Sequence, residues 1–309
     1  MIKAESISNI NETKKQHRYK GKSRPWLYIG PHLLLFAIFG LIPLFYGIYI
    51  SFTQWDMVGD ATFVGLQNYK EILFNQSSTF HNQFFNGLKN TFIFVIISVP
   101  FLIIVPLMIA MALNAKTKAV GLFQSIFYLP GLFSISAVAL IWSLVFNKRI
   151  GPINNLFGST VNWTTEQPYA WLVILVVSIW WGVGGNMVIY RAALSGISKD
   201  LYEAADIDGA TSIKKFFYVT LPSIKFQLLY TFVMTTIASF NIYGQPVMLT
   251  NGGPTQSTTV LMMYIRNLAF GSGQSVAGMA SAMAVLLGIV MVVISAVQFV
   301  ILNKDNSKA

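Results

Sequence analysis

A chain of 309 residues with 10% charged side chains and a mean hydropathy of +0.59 falls outside the range of soluble domains, in which about a quarter of residues are charged. The complete lack of cysteine excludes disulfides, thiolate metal sites, cysteine nucleophiles and palmitoylation. The formal charge of +10 does not point to nucleic acid, because most basic residues flank apolar spans and do not interleave with aromatics.

In chain order, residues 1–26 form a basic tail that holds Lys3, Lys14, Lys15, Arg18, Lys20, Lys22 and Arg24. Its Gly21-Lys22-Ser23 lacks the earlier glycine and the preceding strand of a phosphate-binding loop, so it predicts no nucleotide site. The first apolar span, Leu27–Thr53, is too long for a signal-peptide core and reads as an uncleaved helix. With its following loop it fills 27–90. A membrane core then covers 91–302, with a short tail at 303–309. Its spans are Thr91–Leu113, Leu122–Phe146, Trp171–Tyr190, Phe226–Pro246 and Ala277–Leu302, each near the ~20 residues that cross the hydrocarbon. Six spans make an all-α polytopic membrane protein. Pro43, Pro100, Pro106 and Pro130 lie inside spans and predict kinks in a packed bundle.

Sixteen basic residues fall in the segments on the side of the N-terminus and five, Lys70, Lys89, Lys148, Arg149 and Arg266, on the other. That bias places both termini in the cytoplasm of a cell-membrane protein. Trp26, Tyr28, Trp55, Trp142, Trp163, Trp171 and Tyr190 lie at or near span ends, as headgroup-level rings do.

No ionisable side chain lies deep in spans two to six, and only His32 approaches the first from one end. A mid-bilayer charge is costly and usually serves an ion path, so a proton-coupled carrier is disfavoured and any cargo is expected to be uncharged. Neutral polar residues do occur. Ser178 precedes Trp180, Trp181 and Gly182 in the fourth span, and Thr235, Ser239 and Asn241 mark the fifth, with 235 and 239 on one helix face. Hydroxyls and amides beside an indole suit a sugar, although serine and threonine in spans also simply join helices.

The loop 198–222 predicts two short helices. Asp200 is the expected cap of the first, with Glu203 reaching back; Gly209 ends it, Thr211 caps the second and Pro222 breaks it. Ile213, Phe216, Phe217 and Leu221 give the second helix an apolar side that is to be covered either by the inner ends of the spans or by the groove of a partner protein. The pattern Glu203-Ala204-Ala205, Gly209, Val219-x-Leu221-Pro222 resembles the loop of permease subunits of ABC-type importers, with Val219 where isoleucine is usual. Pro25-Trp26-Leu27, Ser51-Phe52-Thr53, Gly65-Leu66-Gln67-Asn68-Tyr69, Tyr128-Leu129-Pro130 and Thr250-Asn251-Gly252-Gly253-Pro254 are similar to the sugar-importer branch, in particular to the first permease of a pair.

The resemblance implies a type I ABC importer transmembrane domain, with Glu203, Ala204, Ala205, Asp208, Gly209, Phe216, Leu221 and Pro222 as its ATPase-coupling element. It implies a second homologous permease, two ATPase subunits that hold ATP and magnesium, an extracytoplasmic binding protein and a sugar cargo. This chain would hold no cofactor and no catalytic residue. Matched to the maltose importer from the shared loop, the cargo-lining positions fall on Ser178, Trp181, Gly182, Gly185, Thr235, Ser239 and Ile242. Asn241 is added from the residues alone. A same-fold permease for another solute, such as glycerol-3-phosphate, and a secondary carrier stay open as alternatives. His17, His32 and His81 have no metal spacing, and Asn75-Gln76-Ser77 and Asn162-Trp163-Thr164 match glycosylation triplets only as chance would.

Overall fold

The computed structural model describes residues 24–115, 119–271 and 276–304. Nearly all of the basic tail, the Gly21-Lys22-Ser23 triplet, His17, Lys116, Lys118 and Lys308 lie outside the described residues. The chain divides into two compact units, Met1–Ile50 and Ser51–Ala309.

Among the described residues the first unit is formed by the helix α1 (Trp26–Ser51) as far as Ile50, and its side chains are mostly exposed. It widens into a π turn at Ala37–Leu41, closed by Ile42 N–H on the Ala37 carbonyl. The cause is the next residue: Pro43 has no N–H, and its ring pushes away the carbonyl four residues back.

In the second unit, a short antiparallel pair, β1 (Thr53–Gln54) and β2 (Thr62–Phe63), sets Thr53 opposite Phe63. It leads into α2 (Gln67–Phe74), where buried Asn68 donates to the carbonyls of Ser51 and Thr53, both at 2.9 Å. The helix α3 (Thr79–Asn114) starts where Ser78 Oγ accepts from Phe80 N–H. It runs well ahead of the expected Thr91 and carries Pro100 and Pro106 without stopping. The boundary expected at 90/91 therefore falls inside a helix.

The third expected span, Leu122–Phe146, is not one helix. It consists of α4 (Val120–Leu132) and α5 (Ile135–Val145), bent by 101°. Pro130 tightens the end of α4 into a 3-10 turn, and Ser134 starts α5 afresh by accepting from Ala137 N–H. A short helix, α6 (Pro152–Phe157), precedes α7 (Tyr169–Ser195). The pair α3–α7 is the main helix contact of the unit. Gly184 lets α7 approach α4: a Cβ there would stand 2.8 Å from Tyr128 Cα.

After α7 come α8 (Lys199–Ile207) and α9 (Ser212–Ser223), then α10 (Lys225–Phe240) at 72° to α9. The fifth span was expected to reach Pro246, but α10 stops at Phe240 and Pro246 belongs to α11 (Gly244–Thr250). The chain closes with α12 (Leu261–Phe270) and α13 (Ala277–Lys304). Among the described residues four helices are long and apolar enough to cross a membrane, or up to six spans if each bent pair counts as one.

Three buried clusters hold the second unit together. One gathers Phe94, Val138, Val173, Val177 and Ile242. Another joins Val99, Phe240, Leu261 and Met283. The third, at the end that carries the loop 198–222, joins Leu107, Leu113, Met187, Tyr190, Leu194 and Ile224. There Tyr190 Oη and Thr231 Oγ1 lie 2.6 Å apart, so two buried hydroxyls satisfy each other.

A candidate solute cavity and a candidate docking loop

The polar residues of the fourth and fifth spans converge. Ser178, Trp181, Gly182, Gly185 and Asn186 of α7 and Thr235 and Ser239 of α10 line one cavity of about 570 Å³, with Asn241, Ile242 and Tyr243 beyond the end of α10. All six pathway positions expected from the sequence, Ser178, Trp181, Gly182, Thr235, Ser239 and Asn241, are on its wall.

Each is held differently. The Trp181 indole donates from Nε1 to the Phe133 carbonyl at 3.1 Å, so the bend between α4 and α5 fixes the ring. Ser178 Oγ is buried without a hydrogen-bond partner. Asn241 spends its amide on the Ile237 carbonyl at 2.8 Å and on Met291 Sδ at 3.5 Å. Gly185 opens onto free space, with nothing within 4 Å of a Cβ. Trp180 turns instead to Trp142, edge to face at 5.5 Å.

Asn186 was missed by the sequence reading, and it organises the wall. Its Nδ2 donates to the Leu102 carbonyl and to Thr235 Oγ1, both at 2.9 Å. Leu102 stands four residues before Pro106, which has no N–H to give it. The amide thus supplies the bond that the proline removed and ties α3, α7 and α10 together. The signal was available in the sequence: a proline inside a span orphans the carbonyl four residues earlier, and a lone asparagine in another span is a donor for it. No lining residue of the cavity is ionisable except Tyr243, whose ring lies 4.8 Å from the Arg266 guanidinium carbon and whose hydroxyl accepts from that guanidinium.

The loop is built as two short helices. The cap of α8 is Ser198, not Asp200: Ser198 Oγ accepts from Asp200 N–H at 3.3 Å. Asp200 sits in the first turn, where its charge meets the helix dipole. Gly209 adopts φ +71°, with Gly209 N–H on the Asp206 carbonyl and Ala210 N–H on the Ala205 carbonyl, the closing pair of a left-handed helix stop. Thr211 caps α9 as expected. Pro222 does not break α9. It again forces a π turn, Phe216–Thr220, and the bend comes at Ile224.

The two arms are joined by Lys215 Nζ to Asp206 Oδ1 at 2.6 Å and by the Tyr202 and Thr220 hydroxyls at 2.9 Å. The apolar side splits. Phe216 packs into the third cluster and Leu221 is half-buried, whereas Ile207, Ile213, Phe217 and Tyr218 are exposed. Glu203, Ala204, Asp208, Gly209 and Pro222 are exposed, and Ala205 is half-buried. The exposed patch thus includes Ile207 and Tyr218, which the spacing did not single out, and leaves out Phe216. Among the described residues no His, Cys, Asp or Glu cluster could hold a metal.

The family model described as "Binding-protein-dependent transport system inner membrane component" matches residues 72–305. The chain belongs to that family. Among curated permeases, the arabinooligosaccharides transport system permease protein AraP of Bacillus subtilis is 31% identical over 286 residues, 90% of this chain and 88% of that one. The lactose transport system permease protein LacF of Rhizobium radiobacter is 32% identical over 255 residues, 79% of this chain and 83% of that one. A chain of a bacterial ABC transporter involved in the import of the acidic polysaccharide alginate superposes with a TM-score of 0.71 at 24% identity, over 91% of this chain and 96% of that one. This permease therefore shares the importer fold, and as a transport subunit of a membrane system it accounts for its long apolar helices.

Proposed function

We propose that this permease forms half of the path by which an ATP-driven importer takes up an uncharged sugar, an oligosaccharide among the candidates. The observation that carries the reading is the wall of the cavity: hydroxyls of Ser178, Thr235 and Ser239 beside the Trp181 indole, without a charged side chain. Sugars present polar edges and apolar C–H faces, and such a wall answers both. The names of AraP and LacF, which refer to arabinooligosaccharides and lactose, support the same class of cargo. An anionic solute such as glycerol-3-phosphate would call for a cation in the wall.

In this reading a second, homologous permease completes the pore, and both termini lie in the cytoplasm, as the basic residues imply. ATP and magnesium sit on two separate ATPase subunits, which grip the exposed side of 198–222. An extracytoplasmic binding protein delivers the sugar from the other face. Closure of the ATPases pulls on the loop, and the bend at Ile224 passes the movement to α10, one wall of the cavity. Each partner shifts the equilibrium only through unequal affinity for its two states. The chain supplies no catalytic group.

Ser178→Ala tests the cargo contact. Since Ser178 Oγ has no partner in the protein, its loss leaves thermal stability unchanged or slightly higher. If the hydroxyl meets the sugar, the apparent KM for uptake rises about fivefold, the worth of one hydrogen bond. Unchanged uptake from variants at Ser178, Thr235 and Ser239 together would remove the cavity from the pathway.

A further inference from the structure

A second cleft lies apart from the cavity. It is a groove of about 410 Å³ formed by Ile103 of α3, Leu221 and Pro222 at the end of α9, and Leu229 and Phe232 of α10, with Lys225 as the one charged residue of its lining. Lys225 is exposed and opens α10. From Lys225 to Phe232 the groove follows the helix for about 10 Å. Lys225 forms no ion pair: the one carboxylate–lysine pair among the described residues joins Asp206 and Lys215. Its ammonium instead lies 5.3 Å from the centre of the Phe226 ring. The first turn of α10 contains no acidic residue, and Ile224 before it offers no side-chain cap, so the local field favours an anion.

An apolar trough that starts at a cation without an ion pair, at the first residue of an apolar helix of a membrane protein, has the chemistry of one bilayer component. We propose that this groove binds an anionic phospholipid, with the phosphate at Lys225 and an acyl chain along Ile103, Leu229 and Phe232. A zwitterionic lipid would fill the trough and leave the lysine without a net counter-charge. A helix from a protein partner would have to bring a carboxylate to the same point. The site straddles the joint at Ile224 between the loop and α10, so the lipid wedges the hinge that the proposed coupling uses. The assignment rests on the chain being a membrane permease and is independent of which solute it carries.

The absence of cysteine makes the test direct. Leu229→Cys carries a bimane label in the full chain, purified with whatever accompanies it and reconstituted in vesicles of phosphatidylglycerol and phosphatidylcholine. Two vesicle sets have the same composition and differ only in which lipid bears brominated chains. The expected result is stronger quenching by brominated phosphatidylglycerol, with a relative association about fivefold higher, the contribution of one lysine near an anionic surface. Lys225→Gln brings the ratio to one, while Lys214→Gln, an exposed lysine outside the groove, leaves it unchanged. A label at Phe232→Cys repeats the measurement should the first variant fail to insert. Equal quenching by both lipids in the parent chain overturns the headgroup assignment. No quenching by either overturns the lipid altogether and shows that a protein segment covers the groove.

Discussion

The Asn186 amide gives one N–H to a carbonyl that Pro106 left open and the other to Thr235. Interhelical hydrogen bonds in membranes are worth about 0.6 kcal/mol each, up to about 1.7, so Asn186→Ala should cost about 1–2 kcal/mol in denaturant unfolding of the solubilised chain. Pro106→Ala restores an intrahelical N–H to the Leu102 carbonyl. In that background the loss of Asn186 should cost about 1 kcal/mol less. Equal costs in both backgrounds would show that the proline is not the reason for the asparagine. Ser178, Trp181, Thr235 and Ser239 were legible because a polar letter in an apolar run stands out by itself. Asn186 stood out equally, but its meaning depends on a carbonyl 84 positions away in the chain.

At the scale of elements, the loop depends on Gly209 for its turn. A Cβ there would meet nothing within 4 Å, so the only penalty is conformational: φ +71° costs a β-branched residue about 1–2 kcal/mol. Gly209→Val should therefore leave the permease in the membrane yet displace the turn between α8 and α9, and uptake per inserted chain should fall sharply. Gly209→Asn, which tolerates the left-handed region, should retain most of it. Wild-type uptake from Gly209→Val would count against any coupling role for the loop. Helix caps were only partly readable. Thr211 was found by its spacing, but Ser198 competes with Asp200 for the same job, and which one caps depends on where the chain leaves α7. Prolines announced disturbance without its kind: Pro43 and Pro222 widen a helix, Pro130 ends one, and Pro106 hands its debt to a neighbour. Hydropathy carries no information about direction, so Pro130 marked a kink in the third span but not a bend of 101°.

For the molecule as a whole, four of the six expected spans are long apolar helices among the described residues, and the other two correspond to bent helix pairs, because composition measures the length of a charge-free stretch and not its continuity. What composition could not give is which apolar side chains of the loop stay exposed. Ile207 at 87% exposure, Ile213 at 71% and Tyr218 at 80% crowd one short loop. An affinity-tagged chain, extracted in mild detergent, is expected to bring down a nucleotide-hydrolysing subunit. Ile213→Asp together with Phe217→Asp should abolish that recovery without lowering the amount of chain in the membrane. A chain that always emerges alone would favour the secondary carrier.

The elbow between α4 and α5 has one more consequence. Its non-helical backbone lies against Trp181, near the middle of α7, at a depth where lipid offers no hydrogen bonds. The protein meets it instead: the indole donates to the Phe133 carbonyl, Phe133 N–H to the Pro130 carbonyl and Val138 N–H to the Ser134 carbonyl. Without that indole the Phe133 carbonyl would have no donor, and the corner would loosen before either arm of the span unwinds.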